Sequence, residues 1–237
     1  MSPNRFHQAP LSFPVRSLLG RDDFFIAPSN RAAAGLVESW PYAFAGALVH
    51  GPRGCGKTHL AHLFREVVAE HARAEAVFAE AGDLSLKTVE ALLERGRYIV
   101  LENIAEPVNE EALFHLLNGT KNQKGFLFMT ALRPYAAWGL KLPDLVSRLK
   151  ALPCVEISAP DDALTAAVLV KLFSERQLNI APEVVSYLLK NMERSFAAAQ
   201  ALVCRADELS LAEKRPVTIP LMREVLAEMA GSPLSGE

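Results

Sequence analysis

Gly51-Pro52-Arg53-Gly54-Cys55-Gly56-Lys57-Thr58 fits the pattern G-x-x-x-x-G-K-[ST] at every fixed position. Each fixed residue answers a physical need of a phosphate site. The glycines let successive backbone N–H groups turn inward around phosphate oxygens. Lys57 brings a mobile positive charge to the same oxygens, and the Thr58 hydroxyl is suited to Mg²⁺. Gly51, Gly54, Cys55, Gly56, Lys57 and Thr58 are therefore the first candidate binding residues. The flanks agree with this reading. Phe44 to His50 is a short apolar run, the expected buried strand, and Leu60, Leu63, Phe64 and Val67 follow at helical spacing. The loop thus opens a helix, whose unpaired N–H groups and positive dipole end favour bound phosphate.

Working outward, the chain alternates strand and helix. Strands are expected at 74–81, 97–102, 124–130 and 154–157, and helices at 84–95, 109–117 and 142–149. A Pro28-Ser29-Asn30 turn leads into a further helix that runs to Val37. Strands this apolar, in β-then-α order, predict an α/β fold with a parallel sheet covered by helices on both faces. After Pro160 the strand signal stops. Three or four helices are expected there, with starts marked by Asp161 or Asp162, Pro182, Ser195 and Pro220. The expected organisation is a Pro-rich N-terminal tail over 1–22, a nucleotide-binding α/β domain over 23–159 and a small all-α domain over 160–237.

Composition narrows the class. Of 237 residues half are hydrophobic and 22% charged, an ordinary globular balance, and the net charge of −2 lacks the basic footprint of a strong autonomous DNA binder. No apolar run is long enough to span a bilayer and the N-terminus lacks a secretory pattern, so no membrane role and a cytoplasmic location are expected. Three widely spaced cysteines, Cys55, Cys154 and Cys204, form neither a disulfide framework nor a zinc pattern. His59 and His62 have no partner at metal-ligand spacing. Trp40 and Trp138 are read as core residues.

A P-loop ATPase also needs an acid at the end of a neighbouring strand to hold Mg²⁺, followed by a second acid that activates water. The strand ending Leu101-Glu102-Asn103 supplies Glu102 for the metal, with Thr58, but places an amide second, and an amide takes no proton from water. Tight nucleotide binding with weak or absent unaided hydrolysis is the expectation.

Thr58-His59-Leu60, Pro28-Ser29-Asn30 and Leu142-Pro-Asp-Leu-Val-Ser-Arg148-Leu together resemble the AAA+ family. Within it they resemble the branch holding the bacterial replication initiator DnaA and its regulatory relative Hda. The resemblance spans residues 8 to 230. It implies an AAA+ sheet domain with a helical lid, a bound ADP or ATP, and an adenine side formed by Phe25 to Asn30. It adds His59 and Asn30 to the binding residues, makes Arg148 an arginine finger acting on a neighbouring subunit's nucleotide, and makes Arg194 a sensor arginine. Guanidinium suits both roles, since it pairs with phosphate oxygens through charge-assisted bonds. The family's first sensor position holds Leu132, which cannot orient water; Thr130 and Arg133 stand nearby as partial substitutes.

Gln8-Ala-Pro-Leu11-Ser-Phe13 is similar to the sliding-clamp peptide Q-x-x-L-x-F of the Hda-like members. Gln8 would bond at a pocket rim while Leu11 and Phe13 fill an apolar pocket. The expected partners are DnaA and the clamp, with DNA reached only through the clamp; homo-oligomer formation stays open. The expected role is stimulation of the initiator's ATP hydrolysis, inactivating it. The alternatives are a self-sufficient AAA+ ATPase and an initiator-like accessory factor that loads a helicase or recruits a partner without the clamp.

Overall fold

Five strands form one wholly parallel sheet, in the spatial order Val77–Glu80, Tyr98–Ile104, Phe126–Ala131, Gly46–His50, Cys154–Glu156. The computed structural model describes residues 24–41 and 44–231. Along the chain come α1 (Arg31–Glu38), β1 (Gly46–His50), α2 (Lys57–Ala72), β2 (Val77–Glu80), α3 (Leu86–Arg95) and β3 (Tyr98–Ile104). These are followed by α4 (Glu110–Asn122), β4 (Phe126–Ala131), α5 (Pro143–Lys150) and β5 (Cys154–Glu156). Four helices complete the described chain: α6 (Asp162–Glu175), α7 (Pro182–Asn191), α8 (Phe196–Glu213) and α9 (Ile219–Gly231).

Alternation along the strands sends side chains to two cores, because successive Cβ atoms point to opposite faces. Ala47, Val49, Tyr98, Val100, Phe126 and Phe128 meet Phe64, Val67 and Val68 of α2 and Val37 of α1. Phe64 stacks on Phe128 with centroids 5.1 Å apart, and Trp40 closes the cluster edge-on to Phe64. On the opposite face Leu48, Ile99, Leu101, Leu127 and Met129 pack against Leu92 of α3, Leu113 and Leu116 of α4, and Leu145 of α5. Each fully buried Leu or Phe of this kind contributes roughly 1.5–3 kcal/mol. Trp40 and Trp138 are both buried, as read from the sequence.

Helix ends follow their local chemistry. A reciprocal cap starts α3 two residues later than the apolar spacing suggested: the Thr88 N–H donates to Ser85 Oγ, and the Ser85 N–H to Thr88 Oγ1. The reverse happens in α4, which runs five residues past Leu117. The polar run Asn118-Gly-Thr-Lys reads as a loop in isolation. Packing keeps it helical: a side chain at Gly119 would overlap Leu93, and the buried Thr120 hydroxyl donates back to Leu116 O at 3.0 Å.

The last four helices have their own core, built from Leu169, Phe173, Leu188, Leu202, Val203, Leu221 and Val225 among others. Asp161 caps α6 by accepting from the Leu164 N–H at 2.7 Å, Pro182 opens α7, and Ser195 caps α8 through the Ala198 N–H at 3.0 Å. Among the described residues no helix is long and apolar enough to cross a membrane.

Candidate nucleotide site

The chain leaves β1 at His50, crosses to the far edge of the sheet for β2, then returns through β3 and β4 to lie beside β1. That reversal leaves a crevice at the carboxyl ends of the strands, where ligands bind in open α/β sheets. Residues 51–56 fill its floor. Gly54 and Gly56 have φ of 68° and 104°, which L side chains rarely adopt. Both are also crowded from above. A side chain at Gly54 would overlap Ser195, and a Cβ at Gly56 would come within 3.1 Å of the Phe196 ring. The Phe196 N–H donates to Gly54 O at 2.8 Å, so α8 is tied directly to the glycine loop.

Lys57 is buried at the start of α2, and its Nζ donates to Gly51 O and Pro52 O, both at 2.7 Å. Burial pushes its ammonium below the usual lysine range. The same ammonium lies 3.8 Å from Cys55 Sγ, while burial pushes that thiol upward, which fits a loop-packing residue rather than a nucleophile.

Glu102 lies in β3, which runs on to Ile104 rather than ending at 102 as expected, and is only 8% exposed. It is hydrogen-bonded to Thr58, while its Oε1 is buried without a partner. Burial raises its carboxyl above the ordinary value, and the nearby Glu80 charge adds to the rise. A buried carboxylate oxygen lacking a donor, beside a threonine hydroxyl, fits a hard cation such as Mg²⁺. Among the described residues no cluster of three or more His, Cys, Asp or Glu forms a closed metal cage. Mg²⁺ characteristically takes one or two carboxylates and completes its shell with water and phosphate, so Thr58 and Glu102 suffice as the protein's share.

A cavity of about 860 Å³ opens above these groups, between the sheet and helices α6 and α8. Gly54, Gly56, Lys57, Thr58, His59 and Asn103 line one end. Phe24, Phe25 and Asn30 line a side wall, and Val168, Lys171, Leu172, Phe196 and Gln200 form the roof. The Phe24 ring stands edge-on to His59 with centroids 5.1 Å apart, and Lys171 lies over the Phe25 ring at 5.3 Å. Asn30 is buried and its side chain is engaged within the wall: Oδ1 accepts from the Ala27 N–H and Nδ2 donates to Phe25 O, each at 2.8 Å. It shapes the wall.

The sensor candidates are placed unequally. Leu132 is 43% exposed and lines the cavity. Of its proposed substitutes, Thr130 is buried and accepts from the Asn103 N–H at 3.0 Å, while Arg133 pairs with Glu106. Arg194 lies outside the cavity lining, paired with Asp162 at 2.9 Å; the α8 residues that do reach the cavity are Phe196, Ala197 and Gln200. Arg148 also lies away from this cavity, on α5, with its guanidinium 5.2 Å from the Phe114 ring centroid. Gln8, Leu11 and Phe13 fall outside the described residues.

Sequence reading missed Lys171, Phe196 and Glu80. The first two are unremarkable helix residues until α6 and α8 fold over the loop. Glu80 carries a strand-end acid signal, but only the β2–β3 pairing puts it opposite Glu102.

Residues 162–226 match the family model of the Hda lid domain. The structure is similar to domain III of the Thermotoga maritima replication initiation protein DnaA, with a TM-score of 0.78 at 14% identity over 91% of this chain and 98% of that one. It is similar to AMPPCP-bound DnaA from Aquifex aeolicus, with a TM-score of 0.68 at 17% identity over 89% of this chain and 69% of the other. The Thermotoga maritima RuvB Holliday junction branch migration motor gives 0.70 at 18% identity, covering 89% of this chain and 73% of that one. At these identities the likeness to solved structures establishes the fold.

Proposed function

We propose, taking as premise that the chain is a DnaA/Hda-like AAA+ protein, that it is a nucleotide-binding regulator of chromosomal replication initiation. It holds ADP or ATP with Mg²⁺ in the 860 Å³ cavity, with the glycine loop and Lys57 on the phosphates and Thr58 and Glu102 toward the metal. The bound nucleotide serves as a conformational latch. Phosphate contacts on the glycine loop bear on α8 through the Gly54–Phe196 hydrogen bond, and hence on the lid. Engaged Thr130 and Arg133, and an apolar Leu132, leave little in the cis site to speed hydrolysis.

The observation that carries the trans reading is the position of Arg148. It does not line this chain's own cavity and rests half-exposed against Phe114, where a neighbouring molecule's nucleotide can meet it. A guanidinium so delivered stabilises the charge that develops on a transferring phosphoryl group. In the full proposal residues 8–14 attach the chain to the DNA-loaded sliding clamp, and Arg148 acts on ATP held by DnaA, which it inactivates. The test is initiator ATP hydrolysis with clamp and DNA present. Arg148→Ala is expected to lose most of the stimulation while binding nucleotide as wild type does. Equal stimulation by the variant refutes the trans finger, and clamp binding unchanged by alanine at Gln8, Leu11 and Phe13 refutes the clamp arm.

A further inference from the structure

Two carboxylates face each other where β2 and β3 pair, behind the Thr58 and Asn103 end of the cavity. β2 and β3 pair in parallel with Glu80 directly opposite Glu102, so both side chains leave the sheet on the same face. The residue after Glu102 is Asn103, at φ 58°, a left-handed conformation that asparagine tolerates better than most residues. Two bonds fix it there. Its N–H donates to the buried Thr130 hydroxyl and its Nδ2 donates to Oε2 of Glu80, both at 3.0 Å. Asn103 lines the cavity, and Glu80 stands exposed one hydrogen bond behind it. The amide found where a P-loop ATPase has its second acid is thus clasped to an acid supplied by the next strand.

We infer that Glu80 is the water-activating carboxylate of this site, positioned by Asn103, and that through it the protein slowly hydrolyses its own nucleoside triphosphate. The inference rests on the reading of the cavity as a nucleotide site and goes beyond it: the latch resets itself. In the step, a water oxygen bonds to the γ-phosphorus as the bond from that phosphorus to the β–γ bridging oxygen breaks. The water's proton passes, through one bridging water, to the Glu80 carboxylate that stands behind Asn103, and nucleoside diphosphate and inorganic phosphate are the products. A carboxylate accepts that proton where the Asn103 amide cannot. Its two oxygens offer about four acceptor sites, so the bond from Asn103 orients the group without exhausting it. Placement one residue behind the cavity wall keeps the turnover slow.

Glu80→Gln separates this role from a structural one. Glutamine keeps an oxygen to accept from Asn103 Nδ2, so a purely structural tie survives, but the base is lost. The measurement is single-turnover conversion of Mg·ATP by the full chain, with fluorescent-ADP affinity and Tm as independent readouts. Conversion is expected to slow at least about tenfold, less than the roughly 10²–10⁴-fold of a general base in direct contact with its water, with affinity and Tm unchanged. Glu80→Asn combined with Asn103→Glu, which exchanges the two groups between strands, is expected to recover conversion. Wild-type speed in Glu80→Gln, or a wild type that binds ATP without converting it, overturns the inference and leaves nucleotide binding standing. A wild type that binds no nucleotide, or binding that survives Lys57→Ala, overturns the nucleotide reading and the inference with it.

Discussion

Replacing Glu102 with methionine should make the metal-free protein more stable and the nucleotide-loaded protein less so. Glu102 is buried with Oε1 lacking any donor, and an uncompensated buried acceptor of this kind costs about 1–3 kcal/mol. Methionine has similar volume and no such atom. The loss is the hydrogen bond with Thr58, whose exposed hydroxyl returns to water, so the offset is about 1 kcal/mol. The net gain is about 1 kcal/mol, which is about 2–4 °C in Tm for a chain of this size. The sign with pH follows from the raised carboxyl. Its folded pKa lies above the ordinary 4.5, so the folded state holds the proton more tightly than the unfolded one. Wild-type stability from this group is full below about pH 4.5 and falls as pH rises through the folded pKa. The variant's advantage is therefore greatest at neutral pH and disappears in acid. With Mg·nucleotide at a hundred times the wild-type Kd, wild type gains about 2.7 kcal/mol, whereas a site weakened a hundredfold gains only about 0.4 kcal/mol, so the order inverts. Thermal melts in EDTA and in Mg·ADP, at pH 7.5 and pH 4, read all three effects. A variant less stable than wild type in EDTA, an advantage that grows toward acid pH, or equal stabilisation of both proteins by Mg·ADP would refute the reasoning.

Gly54→Ala combines a left-handed φ of 68°, which costs an L side chain roughly 1–2 kcal/mol, with overlap onto Ser195. It should lower Tm by several degrees and expose the α8–loop junction to hydrogen exchange; a neutral Tm would show that the loop and lid are not packed as described. Arg194→Ala removes an exposed pair with Asp162, worth at most about 1 kcal/mol, and should leave ADP affinity in titration within about twofold. A tenfold loss would place Arg194 on the nucleotide after all.

The pattern G-x-x-x-x-G-K-[ST] between a strand and a helix, with apolar strands in β-then-α order, made the sheet fold legible because each signal is local. Asp161, Pro182 and Ser195 likewise announced their helices, since a cap acts within one turn. Local signals misled where packing prevailed. Gly119-Thr120 stays helical because α3 presses Leu93 against it, a contact 26 residues distant in the chain.

The sequence by itself determined that the glycine loop, Lys57 and Thr58 would gather at one helix start, because they are contiguous and their geometry follows from one strand–turn–helix unit. It put Glu102 on a further strand, but packing carries that strand on to Ile104, and β4 separates it from β1. Only the tertiary structure decided the rest of the chemistry. Asn103, Thr130 and Glu80 converge through parallel pairing of three strands. Arg194 is turned to Asp162 while Phe196 closes on Gly54. The physical reason is range: backbone geometry and capping act over a few residues, whereas which acid faces which amide is set by strand register, and register is fixed by how the whole sheet buries its two faces.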